Sequence, residues 1–203
     1  MSGDDAVREP KSAAERRVLG IALWLNMGLV AALGIAGVAA ASSGLIATAA
    51  DNLSDAAVYA LSYYAVTRGR RWKVRAARLS GAMLLVLSLA VLADVVRRFI
   101  FGAEPVSAIM IVMSIVAALV NVASLRVLRP LHASDVSLRA AWTFSINDLA
   151  ANLGVLAAGM LVAWSEKSWP DLLAGLAIAF VAAKGGREIL ADARRSGDAH
   201  GDV

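Results

Sequence analysis

Asp51 and Asp55 stand four residues apart in an otherwise apolar stretch, so on a helix both carboxylates project from one face about one turn apart. A later apolar stretch carries Asn147, Asp148 and Asn152, and there Asp148 and Asn152 again share a face. Carboxylates and carboxamides are oxygen donors of the kind that hold hard divalent cations. Three carboxyl groups brought close cannot all stay ionised without a counter-charge, and a divalent cation or shared protons would relieve the repulsion. Such ligands lose protons to bind metal and regain them as it leaves, which is the physical basis of metal/proton exchange. The primary candidate ligands are therefore Asp51, Asp55, Asp148 and Asn152, with Asn147 and Asn26 as secondary ones. The competing reading for the acids is hydrogen bonding between helices by protonated side chains. For the amides, Asn121 among them, it is ordinary polar bridging between neighbours.

The elements that must position these groups are membrane helices. The chain has 203 residues, 59% hydrophobic and only 6% aromatic, more aliphatic material than a soluble domain of this size can hide. A helix crosses a hydrocarbon core of roughly 30 Å with about 20 mostly apolar residues. Six segments qualify, near residues 18–39, 43–66, 79–96, 106–128, 140–164 and 170–190. They are separated by breakers and small residues such as Ala41-Ser42-Ser43-Gly44, Gly102-Ala103-Glu104-Pro105 and Ser168-Trp169-Pro170. Residues 1–17 are polar and are expected to be a disordered terminus, and 191–203 a short tail. Gly28, Gly34, Gly37, Gly154 and Gly159 are small enough to let spans approach closely. Seventeen of the twenty basic residues fall on one side of this arrangement, against Arg97, Arg98 and Lys167 on the other. By the positive-inside rule both termini are cytoplasmic. The fold class is thus an all-α integral membrane protein, a six-helix bundle with N-in/C-in topology.

Placed in that frame, Asp51 and Asp55 occupy the middle of the second span, where one aspartate costs about 2.5 to 3.5 kcal/mol even on lenient scales. The pair must face protein, water or a cation. The second and fifth spans run in opposite directions, so antiparallel packing brings three carboxylates and a carboxamide to similar depth, where transporters hold substrate and coupling ions. Asp94, beside Arg97 and Arg98, reads instead as an interfacial ion pair, and His132 with Asp135 as solvated loop residues. There is no cysteine, hence no thiolate metal site. The net charge of +4 comes from basic residues between apolar spans rather than on one exposed face, which argues against a nucleic-acid partner. An intramembrane aspartyl protease using Asp55 and Asp148 as a dyad lacks the G-x-G-D signature expected around one of them, and no H-E-x-x-H motif is present.

In these residues the chain resembles the cation diffusion facilitator (cation efflux) family. The resemblance rests on Ser42-Ser43-Gly44-Leu45 leading into Asp51-x-x-x-Asp55, then Gly102-Ala103-Glu104-Pro105-Val106, Asn121, Ser137-Leu138-Arg139-Ala140-Ala141, Asp148 followed by Asn152-Leu153-Gly154-Val155, and Trp169-Pro170-Asp171. It implies a homodimeric carrier that exports divalent metal by proton antiport, with Asp51, Asp55 and Asp148 as ligands. The partners would be metal ion, protons and the bilayer, with no prosthetic group. The family's usual H-x-x-x-D on the fifth helix has Phe144 at the histidine position, so the fourth ligand is expected to be missing or replaced by Asn152 or Asn147. An oxygen-only site suits Mn²⁺ better than a histidine site does, with Zn²⁺, Co²⁺ and Fe²⁺ left open. The expected form has no cytoplasmic metal-binding domain after the sixth helix, and its dimer is held by membrane contacts. A preference for Arg over Lys and abundant Ala point to a bacterial plasma (inner) membrane. The remaining alternative is a family member that does not transport and packs as a partner subunit.

Overall fold

Long aliphatic runs with helix-forming Ala and Leu and few breakers favour helices throughout. The computed structural model, which describes residues 5–65, 70–129 and 136–198, consists of six of them. They are α1 (Asp5–Ala39), α2 (Ser43–Ala65), α3 (Arg70–Phe101), α4 (Ser107–Leu128), α5 (Val136–Ser165) and α6 (Trp169–Asp198). Among the described residues, four helices contain stretches long and apolar enough to cross a membrane: Gly20–Ala39, Arg78–Phe101, Ser107–Leu128 and Ser145–Ser165. The apolar run of α2 is broken by Asp51, Asn52, Ser54 and Asp55, and that of α6 by charges in its second half.

α2 covers Ser43–Ala65 and α4 Ser107–Leu128, where spans near 43–66 and 106–128 were expected. The others are longer. α1 begins at Asp5, so residues 5–17, expected to be disordered, are helical; their Ala, Glu, Lys and Arg are good helix formers that extend a helix already nucleated in the apolar run. α3 likewise starts at Arg70 and ends at Phe101, and α6 continues to Asp198 through most of the expected tail. Hydropathy marks where a helix meets lipid and not where its hydrogen bonding stops.

Three short turns, α1–α2, α3–α4 and α5–α6, share one end of the bundle. Each contains one residue in the left-handed region: Ala41 (φ 48°), Gly102 (φ 82°) and Glu166 (φ 56°). The Val106 amide donates to the Ala40 carbonyl (2.9 Å), tying the first two turns together.

Among the described residues α1 touches only α2, α4 and α5, and these four helices enclose a common core. That core contains Leu29 and Leu33 from α1, Leu45 and Ala49 from α2, Met110 and Ala117 from α4, and Val155, Ala158 and Val162 from α5. α3 and α6 pair with each other and lie against α2, where Ala47, Val91, Val95, Leu172 and Ala179 form a second apolar cluster. Lipid tails are as apolar as either cluster, so close packing and polar contacts, not hydrophobic burial, must hold the helices together.

The α3–α6 contact shows this most directly. A Cβ on Gly186 would stand 3.0 Å from the Gly81 carbonyl oxygen, and one on Gly81 would stand 3.0 Å from the Gly186 carbonyl oxygen. The two backbones therefore touch, and neither can yield as a flexible side chain would. Gly186→Val is expected to destabilise the protein by about 2 to 3 kcal/mol, seen as a lower melting temperature of the purified protein. An unchanged melt would show that the α3–α6 contact is not structural. Of the small residues singled out from sequence, Gly37 and Gly159 do sit at close helix contacts, whereas Gly28, Gly34 and Gly154 face open space.

Candidate functional site

The four-helix core changes character along its length. Every buried apolar residue named above lies no more than ten residues from the turn end of its own helix, a depth of about 15 Å. Beyond that depth the buried side chains are mostly polar: Asn26 on α1, Ser54 and Asp55 on α2, Asn121 and Ser124 on α4, and Ser145, Asp148 and Asn152 on α5. The interior is thus a largely apolar region near the turns, the plug, in which Thr48, Asn52 and Ser114 are also buried, and an oxygen-rich region beyond it, the chamber.

These polar groups are short of partners. Asn152 donates Nδ2 to the Asp148 carbonyl (2.8 Å), Asn26 to the Ala22 carbonyl (3.0 Å) and Asn52 to the Thr48 carbonyl (2.9 Å), each one helical turn back. In all three the Oδ1 oxygen makes no hydrogen bond within the protein. The same holds for both carboxylate oxygens of Asp148, for both polar atoms of Asn121, and for the hydroxyls of Ser54, Ser124 and Ser145. Buried polar atoms are nearly always paired, and leaving one unpaired in a low-dielectric interior costs about 1 to 3 kcal/mol. With the nitrogens of Asn26, Asn52 and Asn152 engaged by their own helices, what these three amides leave unpaired is oxygen. Such a surface favours a cation, a proton or hydrogen-bonding water.

α2 and α5 bring the predicted residues together unequally. Asp148 and Asn152 are almost wholly buried on one face of α5, as their spacing predicts. Asp55 is buried on α2, and Asp51, one turn nearer the turn end, is half-buried. Asp55 lies within Coulombic reach of both Asp51 and Asp148, and Asp148 feels Asp51 as well. Yet among the described residues no three His, Cys, Asp or Glu side chains converge tightly enough to hold a metal ion together. Mutual repulsion of unpaired carboxylates is a sufficient physical reason for that separation.

Asn147 departs from the group. It is exposed and, with Asp51, lines a half-open groove of about 490 Å³ between α5 and α6. Adjacent helical residues are about 100° apart, so Asn147 and Asp148 look to different sides of α5. His132 and Asp135 lie outside the described residues, as does the side chain of Phe144.

At the turn end a second polar cluster holds α2 in place. Asp171, in the first turn of α6, accepts from the Ser42 hydroxyl (2.6 Å), the Ser43 amide (2.7 Å) and the Gly44 amide (3.0 Å). The Ser42 hydroxyl in turn caps the Leu45 amide (3.1 Å). This is a carboxylate seated on a helix N-terminus, where free amides and the macrodipole favour negative charge. Gly175 makes the approach possible, since a Cβ there would stand 2.9 Å from that of Ser43. The Ser43 hydroxyl reaches Asp94 (3.1 Å), which also binds Arg98 (2.6 Å) and Arg97 (2.9 Å). The expected Asp94 ion pair is therefore present and extends to α2. The capping role of Asp171 was not foreseen from sequence, because its partners are 127 to 129 residues away.

Acidic residues buried between apolar helices are rare in membrane domains and mark a candidate functional site. Comparison with known proteins decides the family: residues 19–196 match the cation efflux transmembrane domain. The chain belongs to the cation efflux family. It is accordingly an integral membrane protein with an all-helical membrane domain. Among curated members of the cation efflux family, the cadmium, cobalt and zinc/H(+)-K(+) antiporter of Bacillus subtilis is 24% identical over 193 residues, covering 88% of this chain and 62% of the relative. The metal cation efflux system protein CzcD of Cupriavidus metallidurans is 24% identical over 167 residues, covering 76% of this chain and 53% of the relative. The chain thus spans between half and two thirds of the length of these two relatives.

Proposed function

We propose that this chain is a divalent metal cation exporter that exchanges metal for protons at Asp51, Asp55, Asp148 and Asn152. The observation that carries the reading is Asp148, buried among four helices with neither carboxylate oxygen hydrogen-bonded and within reach of the charges on α2. A carboxylate left this way is a poor structural element and a good ligand. The name of the Bacillus subtilis relative includes cadmium, cobalt and zinc, and that of the Cupriavidus metallidurans relative metal cation efflux, which supports a divalent transition-metal substrate.

In the proposed cycle all six helices cross the bilayer, both termini are cytoplasmic and the turn end faces outward. The apolar plug then closes the outer half while the oxygen-rich chamber faces inward, the arrangement of a carrier waiting for cytoplasmic cation. Metal entering the chamber displaces protons from Asp55 and Asp148, and the neutral oxygen of Asn152 takes a place in the ligand set. Opposed charges draw the α2 and α5 acids inward around the ion. When the outer half opens, external protons compete for the same oxygens and release the metal. A bacterial plasma membrane and a homodimer held by membrane contacts complete the proposal. Asn26 and Asn147 remain outside this ligand set, Asn26 lining the chamber and Asn147 the groove.

Proteoliposomes loaded with a metal-sensitive dye test the reading. With the interior acidic relative to the bath, uptake of Zn²⁺, Co²⁺ or Cd²⁺ is expected to run about tenfold faster than without a pH gradient, since a 1-unit gradient contributes about 1.4 kcal/mol per proton. Mn²⁺ in the same panel reports whether Phe144 at the family's histidine position goes with a broader selectivity. Uptake indifferent to the gradient for every metal would remove proton exchange from the account.

A further inference from the structure

The α5–α6 groove is larger and more apolar than an inorganic ion needs. Its volume of about 490 Å³ falls in the range of small-molecule sites, roughly 300 to 1,000 Å³. Its lining runs along α6 from Trp169 to Val181 and is chiefly Ala, Gly and aliphatic side chains, with Asp51 and Asn147 as its charged and amide groups. Among the described residues that line it there is no Lys or Arg to neutralise the Asp51 carboxylate. A small divalent ion wants several oxygen donors at once, and most of this surface offers none. A lipid tail would fill the apolar length but leave the carboxylate unmatched.

We infer that this groove binds amphipathic organic monocations, with the charged centre against Asp51, the hydrocarbon body along Gly154, Ala157 and Leu173, and the Trp169 ring at the far end. One carboxylate matches one positive charge. The Trp169 ring offers the hydrocarbon body a large apolar face, and the small residues leave room for a broad body. The site shares Asp51 with the proposed metal path but needs neither Asp55 nor Asp148, so the two readings can fail separately.

Equilibrium dialysis of tetraphenylphosphonium against the purified full-length protein in detergent tests it, with triphenylphosphine oxide as the neutral comparison. The expected result is saturable binding of the cation, at least about tenfold weaker for the neutral compound and for Asp51→Asn, the loss of one close charge pair in a poorly screened site. Gly154→Leu is expected to abolish binding. Its Cβ meets nothing within 4 Å, so the larger side chain fills the groove without disturbing the fold, which size-exclusion chromatography checks. Asp148→Asn is expected to leave tetraphenylphosphonium binding within about twofold while weakening binding of Zn²⁺ measured alongside, because Asp148 does not line the groove. Equal binding of the neutral compound would mark the groove as a slot for apolar chains. That outcome, no saturable binding, or binding unaffected by both Asp51→Asn and Gly154→Leu would overturn the inference.

Discussion

Asp148→Asn is expected to lower metal transport by about 100-fold or more and to leave the protein as stable as before, or more so. The two effects have one cause. Asp148 is almost wholly buried, and neither of its oxygens makes a hydrogen bond within the protein. Burying an ionisable group without partners is unfavourable, and replacing it by a neutral isostere removes that penalty. The same change removes an anionic ligand that α2 cannot replace, and loss of one member of a buried charged set is worth about 3 to 5 kcal/mol, or about two to four powers of ten. Uptake into proteoliposomes and a thermal melt on the same preparation read both quantities. If the variant instead lost stability and kept transport, Asp148 would be a structural hydrogen-bonding residue and the ligand assignment would be wrong. Asp55→Asn is expected to behave alike, since Asp55 is also buried and in reach of both other acids.

Asp171→Ala should do the reverse, unfolding the protein more readily before it affects the chemistry directly. Three donors end on this carboxylate, two of them backbone amides of the first turn of α2. Truncation leaves those amides buried with no acceptor, and hydrogen bonds to a charged group contribute about 1.5 to 3 kcal/mol each. Allowing for relaxation, a loss of about 3 kcal/mol is expected, or roughly 6 to 12 °C in Tm. Asp171→Asn should fall between the variant and the wild type, because the amide nitrogen would face a donor it cannot satisfy. Ser43→Ala should cost about 1 kcal/mol or less, because only its hydroxyl bond to Asp94 is lost while its backbone amide still reaches Asp171. A melt for Asp171→Ala equal to the wild type would show that α2 is anchored elsewhere. The cluster holds the start of α2 eight residues before Asp51, so its integrity also sets how firmly the acidic face of α2 is aimed.

The contrast between these two residues shows what could be read before the fold was known. Asp51, Asp55, Asp148 and Asn152 announce themselves because helical periodicity is local: four residues apart means one face, and acids in an apolar run demand an explanation. Asn147 shows the limit of adjacency, since a neighbour in sequence sits about 100° away on a helix and here looks into the groove rather than the chamber. Asp171 was visible only as part of a family motif. Its work is to cap a helix that begins 128 residues earlier, and no local pattern encodes which carboxylate will do so. The opposite partition, apolar plug and polar chamber, was latent in the positions of Leu33, Val155, Asn26 and Asn121, but it emerges only when α1, α2, α4 and α5 are set side by side. Helix ends were the least legible feature, because α1, α3 and α6 continue beyond the apolar residues that reveal them.

The most direct test of the central claim is the number of protons released when metal binds. Calorimetric titration of Zn²⁺ into the purified protein, in two buffers of different ionisation enthalpy at the same pH, yields that number. The account predicts about one or more protons expelled per metal ion, and fewer in Asp148→Asn, where Asp55 is left to give one up. Tight binding with no proton released by the wild-type protein would contradict it.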